Sequence, residues 1–399
     1  MGALVGALAA VSTANAPAAM ADTQADQWYL AEMQAEKMWQ VSTGEGVKVA
    51  VIDSGVNADT PSLKGQVLVD DVPESVAYNA TKDYSGHGTS MAELIAGTGA
   101  GGGVKGLAPG AGIVPYRVSL EGLEEGPELD KTPEPAEALR AAADTDAKII
   151  NISFGGMASD EDQEAVRYAA SKGKLVIAAV GNDGFTDQPA MYPYVIGIGS
   201  VNASFEVSDF SSHGFADLMA PGEGIPTWCD ETFTSYCKTD GTSQATALAS
   251  AAAALVWSAH PDWTVNQVTR ALLDTASRGW PKDEPSRSAG YGFIRPRVVL
   301  ADPSYDAGAP DVDPLEKVNK GDLLSKSAQQ SPSSPAPSGA SQAPDDNTSA
   351  DGPEAAGSST EATASGDDSN TLWITLGAAA AVIVVGGTAF AVLRARRAG

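Results

Sequence analysis

The amino-acid sequence predicts an α/β fold, in which an open parallel β-sheet carries helices on both faces. Three observations lead to this prediction. Apolar, β-rich runs recur along the first three quarters of the chain, helix-forming stretches separate them, and small or polar residues follow where several runs end. Beyond this domain, the composition predicts a disordered stalk and one C-terminal transmembrane helix.

The composition excludes some classes of function. The 399 residues carry a formal net charge of −26, which argues against nucleic-acid binding because such proteins need a basic face. Only two cysteines occur, Cys229 and Cys237, and no histidine lies between them. A metal site is therefore not expected, and no cofactor is predicted. In an exported protein the two thiols would form a local disulfide.

Both ends of the sequence indicate export. Residues 1–21 are mostly small and apolar and end in Ala-Met-Ala, which is typical of a signal peptide, although the usual basic start is missing and an upstream start stays open. Residues 372–393 are uncharged and long enough to cross a hydrocarbon core of about 30 Å. Arg394, Arg396 and Arg397 follow in a short basic tail at 394–399. The positive-inside rule therefore predicts a single-pass cell-membrane protein with its domain outside and its C-terminus in the cytoplasm.

The first elements of the domain place two polar residues at structural junctions. Residues 22–45 have aromatic residues spaced for a short helix that packs on the domain. The strand predicted at 47–52 delivers Asp53 at its end, although a turn cap would also explain this carboxylate. His87 lies between two glycines at the start of a predicted helix. A lone histidine is usually structural, but the flanking glycines favour a function.

The middle of the chain alternates strands and helices. Strands are predicted at 113–118, 147–152, 175–180 and 195–201. Capping boxes at Ser159 and Thr264 predict helices that run to about residues 172 and 276. Asn182 follows the third of these strands, where its amide can donate into a crevice, although a turn asparagine is the alternative. The segments around 210–222 and between the cysteines are predicted as loops.

A serine near residue 240 stands at the start of an Ala-rich helix. Ser243 would lie where free N–H groups and the helix dipole favour negative charge, so it could attack a carbonyl while its own N–H stabilises the oxyanion. A residue that merely caps a core helix fits this stretch equally well. Because the ends of parallel strands share one edge, Asp53, Asn182 and Ser243 can converge there with His87.

Five motifs in one order make the sequence from about 46 to 294 resemble the subtilases. They are Val51-Ile52-Asp53-Ser54-Gly55-Val56, Gly86-His87-Gly88-Thr89, Asn151-Ile152-Ser153-Phe154-Gly155, Ala178-Ala179-Val180-Gly181-Asn182 and Gly241-Thr242-Ser243-Gln244-Ala245. The order Asp, His, Ser is that of subtilisin among known catalytic triads. The resemblance implies a subtilisin-like serine protease domain at 46–301.

The resemblance also implies a role for each site residue. Asp53 would orient His87, which takes the proton of Ser243 as this serine attacks the scissile carbonyl to form an acyl-enzyme. Asn182 and the Ser243 N–H would form the oxyanion hole. The remaining implied residues bind the substrate backbone as an added strand; they are Ser153, Phe154 and Gly155.

Two departures from the subtilase pattern stand out. Ala247 occupies a position where the family usually has proline, and Ser54 one where threonine is common. The residue at Ser54 is a conservative change, and the change at Ala247 touches no catalytic atom, so only a slight loss of activity is expected. The short stretch between 21 and 46 leaves no room for a long pro-domain, which predicts folding without one.

Subtilases often bind structural calcium, but no convincing ligand loop is present.

The whole architecture is similar to that of the mycosins, membrane-anchored subtilases of actinobacterial type VII secretion systems. Residues 302–371 are rich in Ser, Pro, Ala and acids, which predicts a disordered stalk between the domain and the membrane helix. The resemblance implies protein or peptide substrates and a possible association with the secretion membrane complex. The alternative is a structural component that stabilises this complex with slow or dispensable proteolysis. A decayed binding module would have lost a triad or oxyanion residue, and none is lost.

Overall fold

The computed structural model describes residues 23–123, 126–184, 186–214, 216–316 and 319. The predicted signal peptide, most of the predicted stalk, the predicted membrane helix at 372–393 and the basic tail lie outside these residues. Within the described ranges, no helix combines the length and the apolar character needed to cross a membrane.

Within the described residues, six parallel strands form the central sheet. They are β1 (Lys48–Asp53), β2 (Gly112–Arg117), β3 (Ile149–Ile152), β4 (Leu175–Ala179), β5 (Val195–Val201) and β6 (Leu218–Pro221). The spatial order is β2-β1-β3-β4-β5-β6, and every neighbouring pair is parallel. All six strands therefore end at the same edge, which is where open α/β sheets build their sites. The predicted parallel sheet is confirmed.

Helices cover both faces of this sheet, as predicted. They are α1 (Trp28–Glu32), α2 (Ala35–Trp39), α3 (His87–Ala96), α4 (Pro135–Ala143), α5 (Asp160–Ser171), α6 (Thr242–Ala259), α7 (Val265–Thr275) and α8 (Pro296–Leu300). Alternate residues of β1 enter different cores: Val49 and Val51 join the core of α3 and α6, whereas Ala50 and Ile52 join that of α4 and α5. This division follows from the two-residue period of a strand.

Helix α6 is the central element of the first core. It is buried on nearly every side, and its alanines let it lie close to the strands beneath it. The hydroxyl of Ser250 on this helix donates to Asn151 Oδ1 on β3 at 2.9 Å. This contact fixes the helix against the sheet, with its N-terminus at the edge where the strands end.

Three elements correct the predicted loops. Strand β6 lies inside the 210–222 segment, and an antiparallel hairpin of β7 (Ile225–Trp228) and β8 (Tyr236–Thr239) includes much of the predicted cysteine loop. The disulfide between Cys229 and Cys237 joins the two arms of the hairpin. Tyr236 stacks on Trp228 across it, with ring centroids 3.8 Å apart. Each of these strands is only four residues long, so their pairing depends on contacts that no local pattern reveals. Helix α8 was likewise not predicted.

The segment before β1 lies against loops that are distant in sequence. It forms two short helices rather than the one expected. The Gln27 amide donates to the carbonyl of Lys105 at 2.8 Å and accepts from its N–H at 2.9 Å. The indole N–H groups of Trp28 and Trp39 donate to the carbonyls of Glu223 (3.1 Å) and Leu107 (2.8 Å). The buried ring of Tyr29, the half-buried indoles and these hydrogen bonds hold the segment on the domain.

Residues 302–316 also lie on the domain, so the prediction that disorder begins at 302 is corrected. Arg270 of α7 donates to the carbonyls of Ala307 and Ala309, and Thr264 donates to that of Pro310 at 2.8 Å. Leu315 is buried. The composition of this stretch is poor in bulky apolar residues, but side chains of α7 satisfy its backbone carbonyls instead.

Candidate active site

The predicted catalytic residues Asp53 and His87 are hydrogen-bonded to each other. Asp53 ends β1 and is fully buried, whereas the His87 side chain, at the start of α3, is 37% exposed. His87 Nδ1 lies 2.8 Å from Asp53 Oδ1, which also accepts from the Ser54 N–H at 2.8 Å. With Nδ1–H donated to the carboxylate, His87 Nε2 carries the lone pair and can act as a base.

A second carboxylate, Asp83, organises the start of α3. It accepts from the N–H groups of Gly86 at 2.9 Å and Thr89 at 2.8 Å, where an acid also complements the helix dipole. Burial acts to lower the pKa of His87, but the charge and hydrogen bond of Asp53, together with the charge of Asp83, raise the pKa above its usual value. Sequence reasoning missed Asp83, although an acid four residues before the histidine was a usable signal.

The two glycines around His87 are required by close approaches. Gly86 has a φ of +79°, and a Cβ there would lie 2.8 Å from the carbonyl oxygen of Asp230. A Cβ on Gly88 would lie 2.2 Å from the carbonyl oxygen of Gly55 and 3.0 Å from Asp53 Cβ. Only glycine lets α3 begin so near the end of β1.

Ser243 is the second residue of α6, and its hydroxyl is bonded to β3 rather than to His87. Ser243 Oγ donates to the carbonyl of Ser153 at 2.6 Å, and Ser153 Oγ donates to the carbonyl of Ser243 at 3.1 Å. Among the described residues, no hydrogen bond links Ser243 to His87. The structure therefore pairs Asp53 with His87 and brings Ser243 to the same cleft with its hydroxyl turned aside.

Asn182 follows β4 and has its amide oriented by the residue before the serine. Its Oδ1 accepts from the N–H of Thr242 at 2.8 Å and from the Thr242 hydroxyl at 3.0 Å. This uses the acceptor of the amide and leaves Nδ2 as a donor. Asn182, His87 and Ser243 line one cleft of about 300 Å³. Thr242 was missed from the sequence, where it reads only as a helix-start residue.

The predicted substrate-binding residues follow β3, and one of them contacts Ser243. The Ser153 carbonyl touches the Ser243 hydroxyl, whereas Phe154 and Gly155 line a neighbouring cavity of about 560 Å³. Trp228 of the β7–β8 hairpin lines the cleft of about 300 Å³. The cleft that holds Ser243 is thus bounded by the disulfide-closed hairpin, whereas Ser153, Phe154 and Gly155 are not among the residues that line it.

A buried carboxylate fastens this hairpin to α3. Glu93 accepts from the Tyr236 hydroxyl at 2.7 Å and from the Thr60 hydroxyl at 2.8 Å. Burial raises the pKa of Glu93 to about 7 despite these hydrogen bonds. A group that titrates near neutrality therefore joins the helix that carries His87 to a wall of the cleft.

We expect the free energy of unfolding to fall as the pH rises from about 4.5 to about 7. The folded chain keeps a proton on Glu93 that the unfolded chain releases, so the contribution of this group is complete below its unfolded pKa and is lost through its folded pKa. The loss amounts to about 3 kcal/mol at most. Urea unfolding at pH 5 and pH 8 measures it, and Glu93→Gln should remove about half of the difference, because Asp217 has a pKa raised to the same range.

Two controls make this pH test specific. Burial also raises the pKa of Asp217 to about 7, so the Glu93→Gln variant should keep a smaller fall in the same window. The exposed Glu137 on α4 offers a matched substitution, and Glu137→Gln should behave as the wild type. Identical pH dependence in the wild type and Glu93→Gln would contradict the prediction.

Comparison with known proteins gives the family. Residues 44–292 match the subtilase family, Peptidase S8. The major intracellular serine protease of Bacillus subtilis (strain 168) is 33% identical over 279 residues, covering 66% of this chain and 85% of that protein. Subtilisin E of the same organism is 37% identical over 249 residues, covering 59% of this chain and 61% of the relative's length.

The solved structures that resemble this chain include mycosins. The MycP3 protease from the type VII (ESX-3) secretion system matches with a TM-score of 0.57 and 29% identity, covering 70% of this chain and 88% of that chain. The predicted likeness to mycosins is confirmed, since MycP3 is one of them. Because the matched family covers more than half of the sequence, the chain belongs to the subtilase family of serine proteases.

Proposed function

We propose that the chain is a membrane-anchored, extracytoplasmic serine endopeptidase that acts through Asp53, His87 and Ser243. The observation that carries this proposal is the 2.8 Å hydrogen bond between Asp53 and His87, beside a cleft that His87 lines together with Ser243 and Asn182. Acyl transfer requires an oriented base, a hydroxyl and an amide donor. All three lie here at the edge of the sheet where the strands end.

Substrate binding releases the nucleophile in this proposal. The substrate backbone pairs with residues 153–155 as an added strand, and one of its N–H groups donates to the Ser153 carbonyl. That carbonyl holds the Ser243 hydroxyl in the free protein, so the two donors compete for it. The displaced hydroxyl turns to His87 Nε2, which takes its proton as Ser243 Oγ bonds to the scissile carbon.

The charges that develop in this step meet groups already in place. The buried Asp53 carboxylate stabilises the imidazolium of His87, which supports a raised pKa for that ring. The Asn182 amide and the Ser243 N–H donate to the oxyanion at the N-terminus of α6. His87 then gives its proton to the leaving amine as the C–N bond breaks, and water hydrolyses the acyl-enzyme.

The order of the predicted segments along the chain supports a location at a secretion complex in the membrane. We assign residues 1–21 to a signal peptide, 22–45 to an extension on the protease domain, and 372–393 to the membrane span before a cytoplasmic tail at 394–399. The protease domain runs from 46 to 301, and the packed segment up to 316 joins it, which leaves the stalk to 371. Since the MycP3 protease comes from a type VII secretion system, the substrates are proposed to be proteins exported by such a system.

One observation favours a second function. In the described part of the chain, the Ser243 hydroxyl donates to Ser153 and has no hydrogen bond to His87. A serine that is not hydrogen-bonded to its base would react slowly. This favours a component that stabilises the secretion complex and hydrolyses peptides slowly.

Labelling with a fluorophosphonate serine probe tests the triad. We expect the purified full chain to be labelled, and both Ser243→Ala and His87→Ala to lose labelling, because the probe reacts only with an activated hydroxyl. Ser171→Ala, at an exposed position of α5, is the matched control and should label normally. Labelling retained in Ser243→Ala would sink the assignment of the nucleophile. A folded wild type that does not react would favour the structural role.

A further inference from the structure

A second large cavity shares no lining residue with the catalytic cleft. Its volume is about 520 Å³, and it lies between the N-terminal helices and the last part of the domain. The turn between α1 and α2 forms one wall, and the loop after β5 forms another. We call it the arginine groove, which is defined by six of its lining residues: Phe205, Arg278, Trp280, Phe293, Arg295 and Arg297.

The groove concentrates positive charge in a strongly acidic chain. Arg278 has structural partners, since it donates to the carbonyls of Leu273 and Tyr291 at 2.8 and 2.7 Å. Among the described residues, Arg295 donates through Nε to the carbonyl of Thr275 at 2.8 Å. In the part of the chain that the structure describes, no carboxylate pairs with Arg295 or Arg297. Three guanidinium groups therefore face one lining acid, the exposed Glu32.

This arrangement is costly in the free protein. Arg295 and Arg297 are both half-buried. Burial, followed by the charges of Arg297 and Arg278, lowers the pKa of Arg295. Partial burial removes part of the hydration of these two guanidinium groups, and no carboxylate in the described residues pairs with either of them. An anionic group bound in the groove would offset this lost hydration. The planar guanidinium group of arginine matches a carboxylate in geometry.

An aromatic residue at the rim adds an apolar contact. Phe205 is 40% exposed and has a φ of +60°, a conformation that bulky residues rarely adopt. A turn around Asn202 holds it there, since the Asn202 side chain accepts from the N–H groups of Ser204 and Glu206 at 2.9 and 3.1 Å. The ring packs edge-to-face on Phe293 at 4.7 Å between centroids. Strain that the surroundings enforce is typical of functional surfaces.

We propose that the arginine groove binds a short acidic segment of a partner protein. Its carboxylates contact Arg295 and Arg297, and one bulky apolar side chain lies against Phe205 and Phe293. The volume suits a few residues, since ligand pockets commonly measure about 300–1,000 Å³. This proposal is independent of the triad, because no proposed catalytic residue lines the groove.

The chain's own acidic segment fits this groove less well. Residues 325–371 include several Asp and Glu residues but no Val, Ile, Leu, Met, Phe, Trp or Tyr. Such a segment can meet the guanidinium groups but cannot cover the aromatic rim. The chemistry of the groove, with charge and apolar surface side by side, therefore favours a partner that carries both.

Fluorescence anisotropy of a labelled peptide tests the proposal. The probe is Gly-Asp-Glu-Phe-Glu-Asp-Gly, titrated with the full chain carrying Ser243→Ala so that it is not cut. We expect saturable, salt-sensitive binding that weakens about tenfold in Arg297→Gln, because charge-assisted hydrogen bonds are lost. Phe205→Asn should weaken it several-fold, and asparagine tolerates the positive φ. Arg287→Gln, an exposed arginine outside the groove, should bind as the parent does.

Four results would overturn the proposal. They are an absence of saturable binding, equal binding by both groove variants, equal binding of a peptide with Asn and Gln in place of the acids, and equal binding of a peptide copying residues 345–368. Binding to phosphatidylglycerol vesicles is measured as an additional experiment. If the chain binds these vesicles through Arg297 but does not bind the peptide probe, the groove recognises lipid headgroups, which contradicts a protein partner. Because Phe205 is exposed, its variant keeps the test valid if Arg297→Gln fails to fold.

Discussion

Asp53→Asn is expected to lower kcat/KM for peptide hydrolysis about 10,000-fold while the domain stays folded. The amide has the shape of the carboxylate, but it lacks the charge that stabilises protonated His87 and favours the wrong tautomer of the ring. Kinetics with a fluorogenic peptide measure this loss, and thermal unfolding checks the fold. The effect should be large because Asp53 is buried and lies 2.8 Å from His87 Nδ1.

The pH dependence separates this explanation from a structural one. Activity needs neutral His87 and is lost as the pH falls through its folded pKa, which Asp53 and Asp83 raise. Residual activity of Asp53→Asn should therefore persist to lower pH than wild-type activity does. Asp59→Asn, an exposed acid six residues further on, is the matched control and should leave rate and profile unchanged. If Asp53→Asn lost its residual activity over the same acidic pH range as the wild type, the assigned role of Asp53 would be contradicted.

Asn182→Leu is expected to lower kcat about 100- to 1,000-fold with little change in KM. Leucine is close to asparagine in shape but offers no donor to the oxyanion, a group that exists only in the transition state and the intermediate. Steady-state kinetics separate the two parameters. A rise in KM at unchanged kcat would show that Asn182 binds substrate rather than the transition state.

A second substitution controls for the structural contact of Asn182. Its Oδ1 accepts from Thr242 next to Ser243, so leucine also leaves that N–H without its partner. Asn182→Asp keeps the acceptor, removes the donor and adds a charge that opposes the oxyanion. It should therefore be at least as slow as Asn182→Leu. If Asn182→Asp were as active as the wild type, the contact with Thr242 would be the whole role of Asn182.

The sequence predicted the elements whose signals are local. Strands β4 and β5 are apolar runs with β-branched residues, and the capping box at Ser159 starts α5 as expected. Asp53 and Asn182 could be placed because each follows such a strand, and the ends of parallel strands share one edge. The likeness of this pattern to the subtilases supplied the remaining assignments.

The sequence could not predict features that depend on distant contacts. The β7–β8 hairpin needs the stacking of Tyr236 on Trp228 and the anchor at Glu93, neither of which a period-two pattern reveals. The orientation of the Ser243 hydroxyl depends on a backbone carbonyl ninety residues earlier. The arginine groove joins residues from α1 to α8, so no single stretch signals it.

The contact between Trp28 and Glu223 sets an order of events during biosynthesis. The indole belongs to one of the first described segments to leave the ribosome, whereas the carbonyl that it meets is 195 positions later. The extension at 22–45 therefore lacks this hydrogen bond until most of the domain has been synthesised and exported. Contacts between ends so far apart close late in folding, since the intervening loop must be ordered first. Docking of the N-terminal helices is thus a marker of a finished domain, and a protease that cuts near residue 28 would distinguish completed molecules from nascent ones.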